Sequence, residues 1–246
     1  MPAVPGKSPW QKGTRKNESP YLANTSIVGL ASIHIPGLLA SPSPMRIQSS
    51  HSDSDRGLDA YFTPPEATWA LLGIEPTIPT RIWEPACGDG AISKILEADG
   101  KIVFSSDIGN YGFGTTGWDY LHSHLILDPD SAIVTNPPFK LAIEFAIKAL
   151  SEVSYVALLL RTNFLESTSR LAFFRAHPPA RVWISSRRLP MMHRHGWTGP
   201  EAPSNTCHAW FIWDFHSERK RELNWFDWQD YSPANQQRIN GAELGL

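Results

Sequence analysis

The chain has 246 residues, a formal net charge of −2 and two cysteines, Cys87 and Cys207. That length suits one α/β domain with a large core; two cysteines exclude a disulfide framework and fit a reducing compartment; and no apolar stretch is long enough to span a membrane. The charge balance also excludes the general basic surplus of most duplex-binding proteins, so any basic face must be local.

Residues 1–55 are rich in Ser and Pro, with small basic clusters at Lys12 and Arg15-Lys16. They show little apolar periodicity and predict a flexible arm; Met45 is an alternative start. The main domain is expected over 56–216. Thr63-Pro64-Pro65-Glu66 reads as a helix start, with Thr63 as N-cap and Glu66 as its capping-box partner. Residues 81–83 predict a short strand, followed by Glu84-Pro85-Ala86-Cys87-Gly88-Asp89-Gly90 and a helical pattern over 91–98. Strand, Gly-rich turn and helix is how a doubly wound sheet builds its first cofactor loop. A second strand over 101–106 ends in Asp107, 20 residues after Cys87, where such a sheet sets an acid against ribose hydroxyls.

The loop is not a dinucleotide fingerprint. Ser93 stands where the third glycine belongs, and the acids Glu84 and Asp89 would repel a pyrophosphate at a helix N-terminus. A cationic nucleoside without phosphates, such as S-adenosylmethionine (SAM), tolerates them. Cys87 reads as a small packing residue in the loop.

The apolar run 132–135 predicts a buried strand and leads into Asn136-Pro137-Pro138-Phe139. The prolines fix φ and remove two N–H donors, which leaves carbonyl acceptors beside the Asn amide oxygen. Such a cluster suits receiving the N–H hydrogens of an amino group, and the aromatic suits stacking on a flat base. Asn-Pro is also a common turn opener, so this motif gains its meaning from the loop upstream.

Together these motifs resemble the class I SAM-dependent N6-adenine DNA methyltransferases of motif order X, I, IV, phage or prophage enzymes among them. Residues 61–66 match motif X, 83–90 motif I, Asp107 motif II, Trp118-Asp119-Tyr120-Leu121 motif III and Asn136-Pro137-Pro138-Phe139 motif IV; the resemblance covers roughly residues 58–215. It implies an α/β fold with a Rossmann-like, seven-stranded, mostly parallel sheet ending in an antiparallel hairpin, and SAM as cofactor. It implies that Tyr61, Thr63 and Pro64 hold the methionine end. The loop residues Glu84, Ala86, Cys87, Gly88 and Asp89 would line the cofactor, Asp107 would bind its ribose and Asp119 its adenine amino group. Asp119 also reads as a turn cap, since Gly-Trp-Asp-Tyr is turn-like, but the cofactor role is the favoured one. Asn136, Pro137, Pro138 and Phe139 would be catalytic and bind a target adenine flipped out of DNA.

Further along, 140–150 predicts an amphipathic helix, 153–160 a strand buried on both faces, and 181–185 and 206–215 two more strands. The intervening loop 186–205 carries Arg187, Arg188, His193, Arg194, His195 and Trp197, a mixture of basic and aromatic residues that suits nucleic acid. Two histidines without cysteines at ligand spacing make no zinc site, so no metal is expected. Residues 217–246 form a charged tail with Trp225, Phe226 and Trp228, expected to pack on or near the domain. With no separate target-recognition domain evident, short or relaxed sequence specificity is expected, in a cytoplasmic, bacterial or phage-encoded monomer or weak dimer. RNA adenine N6-methylation, protein glutamine N5-methylation and a non-catalytic nucleic-acid-binding relic remain open beside the DNA reading.

Overall fold

A computed structural model describes residues 63–125, 127–191, 206–217, 221–233 and 235. The arm 1–55, Tyr61, His193, Arg194, His195 and Trp197 lie outside the described residues.

The apolar runs become strands of one sheet: β1 (Arg81–Glu84), β2 (Ile102–Asp107), β3 (Thr115–Thr116), β4 (Ala132–Thr135), β5 (Tyr155–Arg161), β6 (Arg181–Ser185), β7 (His208–Asp214) and β8 (Glu222–Phe226). Their order is β3-β2-β1-β4-β5-β7-β6-β8. All pairings are parallel except those of β7, which runs antiparallel to both β5 and β6. The expected hairpin is therefore present, with β7 inserted between β5 and β6. An eighth strand extends the expected seven: β8, from the tail, pairs parallel with β6 at the sheet's edge. Its short alternation of polar and apolar residues sits inside a charged stretch, and it exposes Leu223 and Trp225 while burying Phe226.

Both faces of the sheet are covered, and the alternation along each central strand shows it. Tyr155, Ala157 and Leu159 of β5 face one core with α1 (Pro65–Ile74) and α2 (Ala91–Ala98). Val156, Leu158 and Leu160 face the other with α3 (Ala142–Glu152) and α4 (Leu171–Ala176). Trp210 and Ile212 of β7 join the first core and Phe211 and Trp213 the second. A strand buried on both faces reads as a continuous apolar run, which is why 156–160 has no polar residue.

Beneath the sheet, Arg181 closes the edge away from the loops. Its guanidinium donates to Glu75 (Nε–Oε1 2.7 Å, Nη2–Oε2 2.8 Å), to Asp214 (2.9 Å) and to Ser217 (3.0 Å). Glu75, at the end of α1, also accepts from Tyr155 Oη at 3.0 Å and Trp183 Nε1 at 2.7 Å. Arg181 and Glu75 are both buried. Removing one partner of such a pair leaves a buried charge uncompensated. Glu75→Ala is therefore expected to lower unfolding free energy by ~3–5 kcal/mol in denaturant titration.

Candidate active site

The chain passes from β1 to β2 and β3 on one side, then returns to place β4 on the other. Strand order thus reverses between β1 and β4, and in open α/β sheets ligands bind at such a switch point, outside the carboxyl ends of the strands. The loops after β1, β2 and β4 meet there around an open cleft of ≈ 740 Å³.

The loop after β1 turns through two residues in the left-handed region, Gly88 (φ 53°) and Gly90 (φ 81°). At Gly90 a Cβ would also lie 2.4 Å from the Phe113 ring, so only glycine fits. Asp107 fixes this loop against its neighbour. Its Oδ2 accepts from Gly88 N at 2.9 Å and its Oδ1 from Gly109 N at 2.7 Å. The carboxylate is held by backbone and still lines the cleft.

The motif residues Asn136, Pro137, Pro138 and Phe139 line the same cleft from the end of β4, as do Ala86, Gly88 and Asp119. Asp119 closes a turn, accepting from Leu121 N at 3.0 Å and pairing with His122 Nδ1 at 2.7 Å. The His122 contact holds its carboxyl below the usual range. Capping the turn and facing the cleft are thus compatible.

Three residues grouped with the cofactor loop lie beneath it or turn away from the cleft. Glu84 is buried, because β1 delivers it to the inner side of the loop, where Ser93 Oγ donates to its Oε2. Ser93 in turn meets Ser105 Oγ at 2.6 Å. Burial pushes the Glu84 carboxyl well above its ordinary value. Cys87 is packed under the loop, and burial followed by the charge of Glu84 pushes its thiol up to about 12, which keeps it a non-nucleophilic thiol. Asp89 caps the entry to α2, accepting from Ala91 N at 3.2 Å.

Thr63 and Pro64 also stand outside the cleft wall. The capping box does not form: α1 begins at Pro65 with Pro64 as N-cap and no side-chain cap. The Thr63 hydroxyl instead accepts from Asn136 Nδ2 at 3.0 Å. Of the described loop arginines, Arg187 forms a two-pronged ion pair with Asp227, with contacts of 2.9–3.1 Å, and the Arg188 carbonyl accepts from Trp228 Nε1 at 3.2 Å. The Arg187 charge is thus already neutralised by a neighbour on the β8 side.

Some wall residues were given no role of their own by the sequence, Trp118 and Tyr120 entering motif III only as the surroundings of Asp119. Trp118 and Tyr120 flank Asp119 and line the cleft, locked by edge-on contacts to Trp83 at 6.3 and 5.0 Å. Ile108, half-exposed directly after Asp107, is another; an apolar side chain just past a strand-terminal acid was its available signal. Outside the cleft, Arg161 stacks 4.0 Å over the Phe139 ring. His208, its partner across β5 and β7, meets the same ring at 5.9 Å. Burial and then the Arg161 charge pull the His208 imidazole down to about 4, so it is neutral at physiological pH.

No protein-family model matches the chain, and no curated protein matches it by sequence. Solved structures do match. The methyltransferase subunit of a type I restriction-modification system from Streptococcus thermophilus superposes with TM-score 0.49 and 12% identity, over 74% of this chain and 52% of that one. A protein from Listeria monocytogenes proposed to be a class I SAM-dependent methyltransferase gives TM-score 0.48 and 14% identity over 73% and 70%. The 23S rRNA methyltransferase ErmE gives 0.45 and 13% over 74% and 80%. The chain spans about half the length of the restriction subunit. Such distant likeness assigns no chemistry to this chain; its own residues must.

Glu84 gives a test of the loop's foundation. A carboxyl whose folded pKa is raised binds its proton more tightly in the folded state. Its stabilising contribution is full below the unfolded value near 4.5 and is lost as pH rises towards the folded value. Glu84→Gln keeps the hydrogen bonding without the titration. Its stability relative to wild type is expected to improve steadily from pH 4.5 upward in denaturant titrations across pH.

Proposed function

We propose that this chain transfers the methyl group of SAM to the N6 amino group of adenine in DNA. The observation that carries this reading is the position of Asn136-Pro137-Pro138-Phe139: it lines, at the switch point, the same cleft as Asp107 and the Gly-rich loop.

The donor set fits a cationic, phosphate-free nucleoside. The cleft wall holds the carboxylates of Asp107 and Asp119, and no Lys or Arg lines it among the described residues. A pyrophosphate would meet negative charge there; a sulfonium and an ammonium would not. Asp107 would accept from ribose hydroxyls through the lone pairs that Gly88 and Gly109 leave available. Trp118, Tyr120 and Ile108 would wall the adenine end. SAM supplies the electrophilic methyl group.

An adenine N6 lone pair is delocalised into the ring and attacks poorly. The Asn136 amide oxygen and the Pro137 carbonyl would accept the two N6 hydrogens and draw the nitrogen towards tetrahedral geometry. The N–C bond forms as the sulfur–methyl bond breaks, the electron pair of the broken bond stays on sulfur, and N6 releases one proton to water. Positive charge developing on N6 is met by acceptors already in place, which is preorganised electrostatic stabilisation. The base must leave the duplex to reach them, at a cost of a few kcal/mol. Stacking on Phe139 would offset roughly 1–3 kcal/mol of it.

The test is transfer of labelled methyl from SAM to duplex DNA, single-stranded DNA, RNA and protein in parallel. Label is expected in DNA as N6-methyladenine, with Asn136→Ala slowing transfer ~10²–10³-fold. Label confined to RNA or to protein would move the substrate and keep the chemistry. A chain that binds SAM and labels nothing would overturn the catalytic reading.

A further inference from the structure

Motif IV does not stand alone at the end of β4. Asn136 Nδ2 donates to Thr63 Oγ1 at 3.0 Å, across 73 positions of sequence. Thr63 is buried, and its hydroxyl has no role in starting α1, whose N-cap is Pro64. Thr63 is not on the cleft wall, whereas Asn136 is. The contact therefore reaches the amide from outside the cleft.

An Asn amide has two unlike ends, an acceptor oxygen and a donor NH₂. A target amine brings only hydrogens to the amide. If the NH₂ end faced it, donor would oppose donor, and the pull on the N6 hydrogens would become a repulsion. With Nδ2 tied to Thr63, the oxygen lies on the other arm of the amide. The rotamer is held as well, because a side chain anchored at one end has fewer wells to sample.

We propose that Thr63 is a positioning residue for methyl transfer: it orients the Asn136 amide so that Oδ1 is the acceptor for the target amino group. This rests on Asn136 being that acceptor, and it departs from the cofactor-holding role that the sequence resemblance implies for Thr63. The two roles separate kinetically. A cofactor contact sets SAM affinity, whereas an orienting contact acts on the chemical step and leaves SAM affinity alone.

The test compares Thr63→Val, which keeps the shape and removes the acceptor, with Thr63→Ser, which restores a hydroxyl. Four quantities are read: SAM affinity by calorimetry, kcat and KM for labelled methyl transfer to DNA, the same constants in an Asn136→Ala background, and solvent exchange of the Asn136 side-chain NH₂ by NMR. Thr63→Val is expected to lower kcat about 10–100-fold, since loss of orientation removes part of what loss of the acceptor removes. SAM affinity should stay within twofold of wild type. The Asn136 NH₂ should exchange faster in Thr63→Val and slowly in wild type and Thr63→Ser, and Thr63→Ser should recover most of kcat. In the Asn136→Ala background Thr63→Val should have no further effect. Weakened SAM binding with unchanged kcat would overturn the proposal in favour of a cofactor contact. Unchanged NH₂ exchange would overturn it outright. Wild-type protein that labels no nucleic acid, with NH₂ exchange still governed by Thr63, would overturn the methylation reading and the catalytic half of this one, and leave the orienting bond standing.

Discussion

The site depends on one buried carboxylate. Asp107 ends β2 and accepts one backbone N–H from the loop after β1 and another from its own turn. Charge-assisted bonds of this kind are about twice as strong as neutral ones, and here they join two loops that no strand pairing connects. That clamp acts with the backbone bond from Cys87 N to Ser106 O (3.0 Å) to set the height of the left-handed turn through Gly88 and Gly90 above the sheet. The clamp also explains why an acid can be buried at the rim. It is satisfied by backbone on one side, so it tolerates low exposure while keeping lone pairs for the cleft.

A second acid supports the same loop from below by the opposite means. Glu84 is buried without a cation among its hydrogen-bond partners, and burial favours its neutral form. Serines from α2 and β2 surround it. The loop is therefore braced by one carboxyl that accepts from two backbone N–H groups and by another that burial holds towards its neutral form. Favouring the neutral form at Glu84 also limits its repulsion with Asp107 and Asp89.

Much of this was legible in the sequence because the signals were local. The apolar run of β5, the Gly-rich turn and the paired prolines of motif IV each encode their geometry within a few residues. Asp107 was legible because strand spacing fixes where a strand-terminal acid falls. The rest depended on packing across the fold. Trp118 and Tyr120 become walls only because the turn after β3 folds over Trp83. Glu84 looked like a cleft residue because it sits in the motif, yet the pleat sends it inward. Thr63 looked like a helix cap because its neighbours allow one; its bond to Asn136 requires knowing that α1 begins beside the end of β4. β8 was obscured by charged flanks and by the exposure of two of its three apolar residues.

The charge distribution constrains how a nucleic acid would approach. The strand order sets β5, β7 and β6 beyond β4 on the side away from Asp107, so cations near the carboxyl ends of β5 and β6 and the amino end of β7 fall on the side of Asn136–Phe139 and not of the acids. Arg161 lies there, stacked on Phe139, with neutral His208 as its neighbour. Arg187 lies on the same rim, but Asp227 from the β8 side already answers its charge. Among the described residues, this pairing leaves the basic surface at that rim narrower than the count of loop arginines suggests. Non-specific attraction to phosphates scales with the number of cations available to replace counterions. For the DNA reading proposed above, stacking on Phe139 and hydrogen bonds at Asn136 would add to that attraction at the extruded base. Contacts of that kind would read one base and its near neighbours, which is the basis for proposing a short target site.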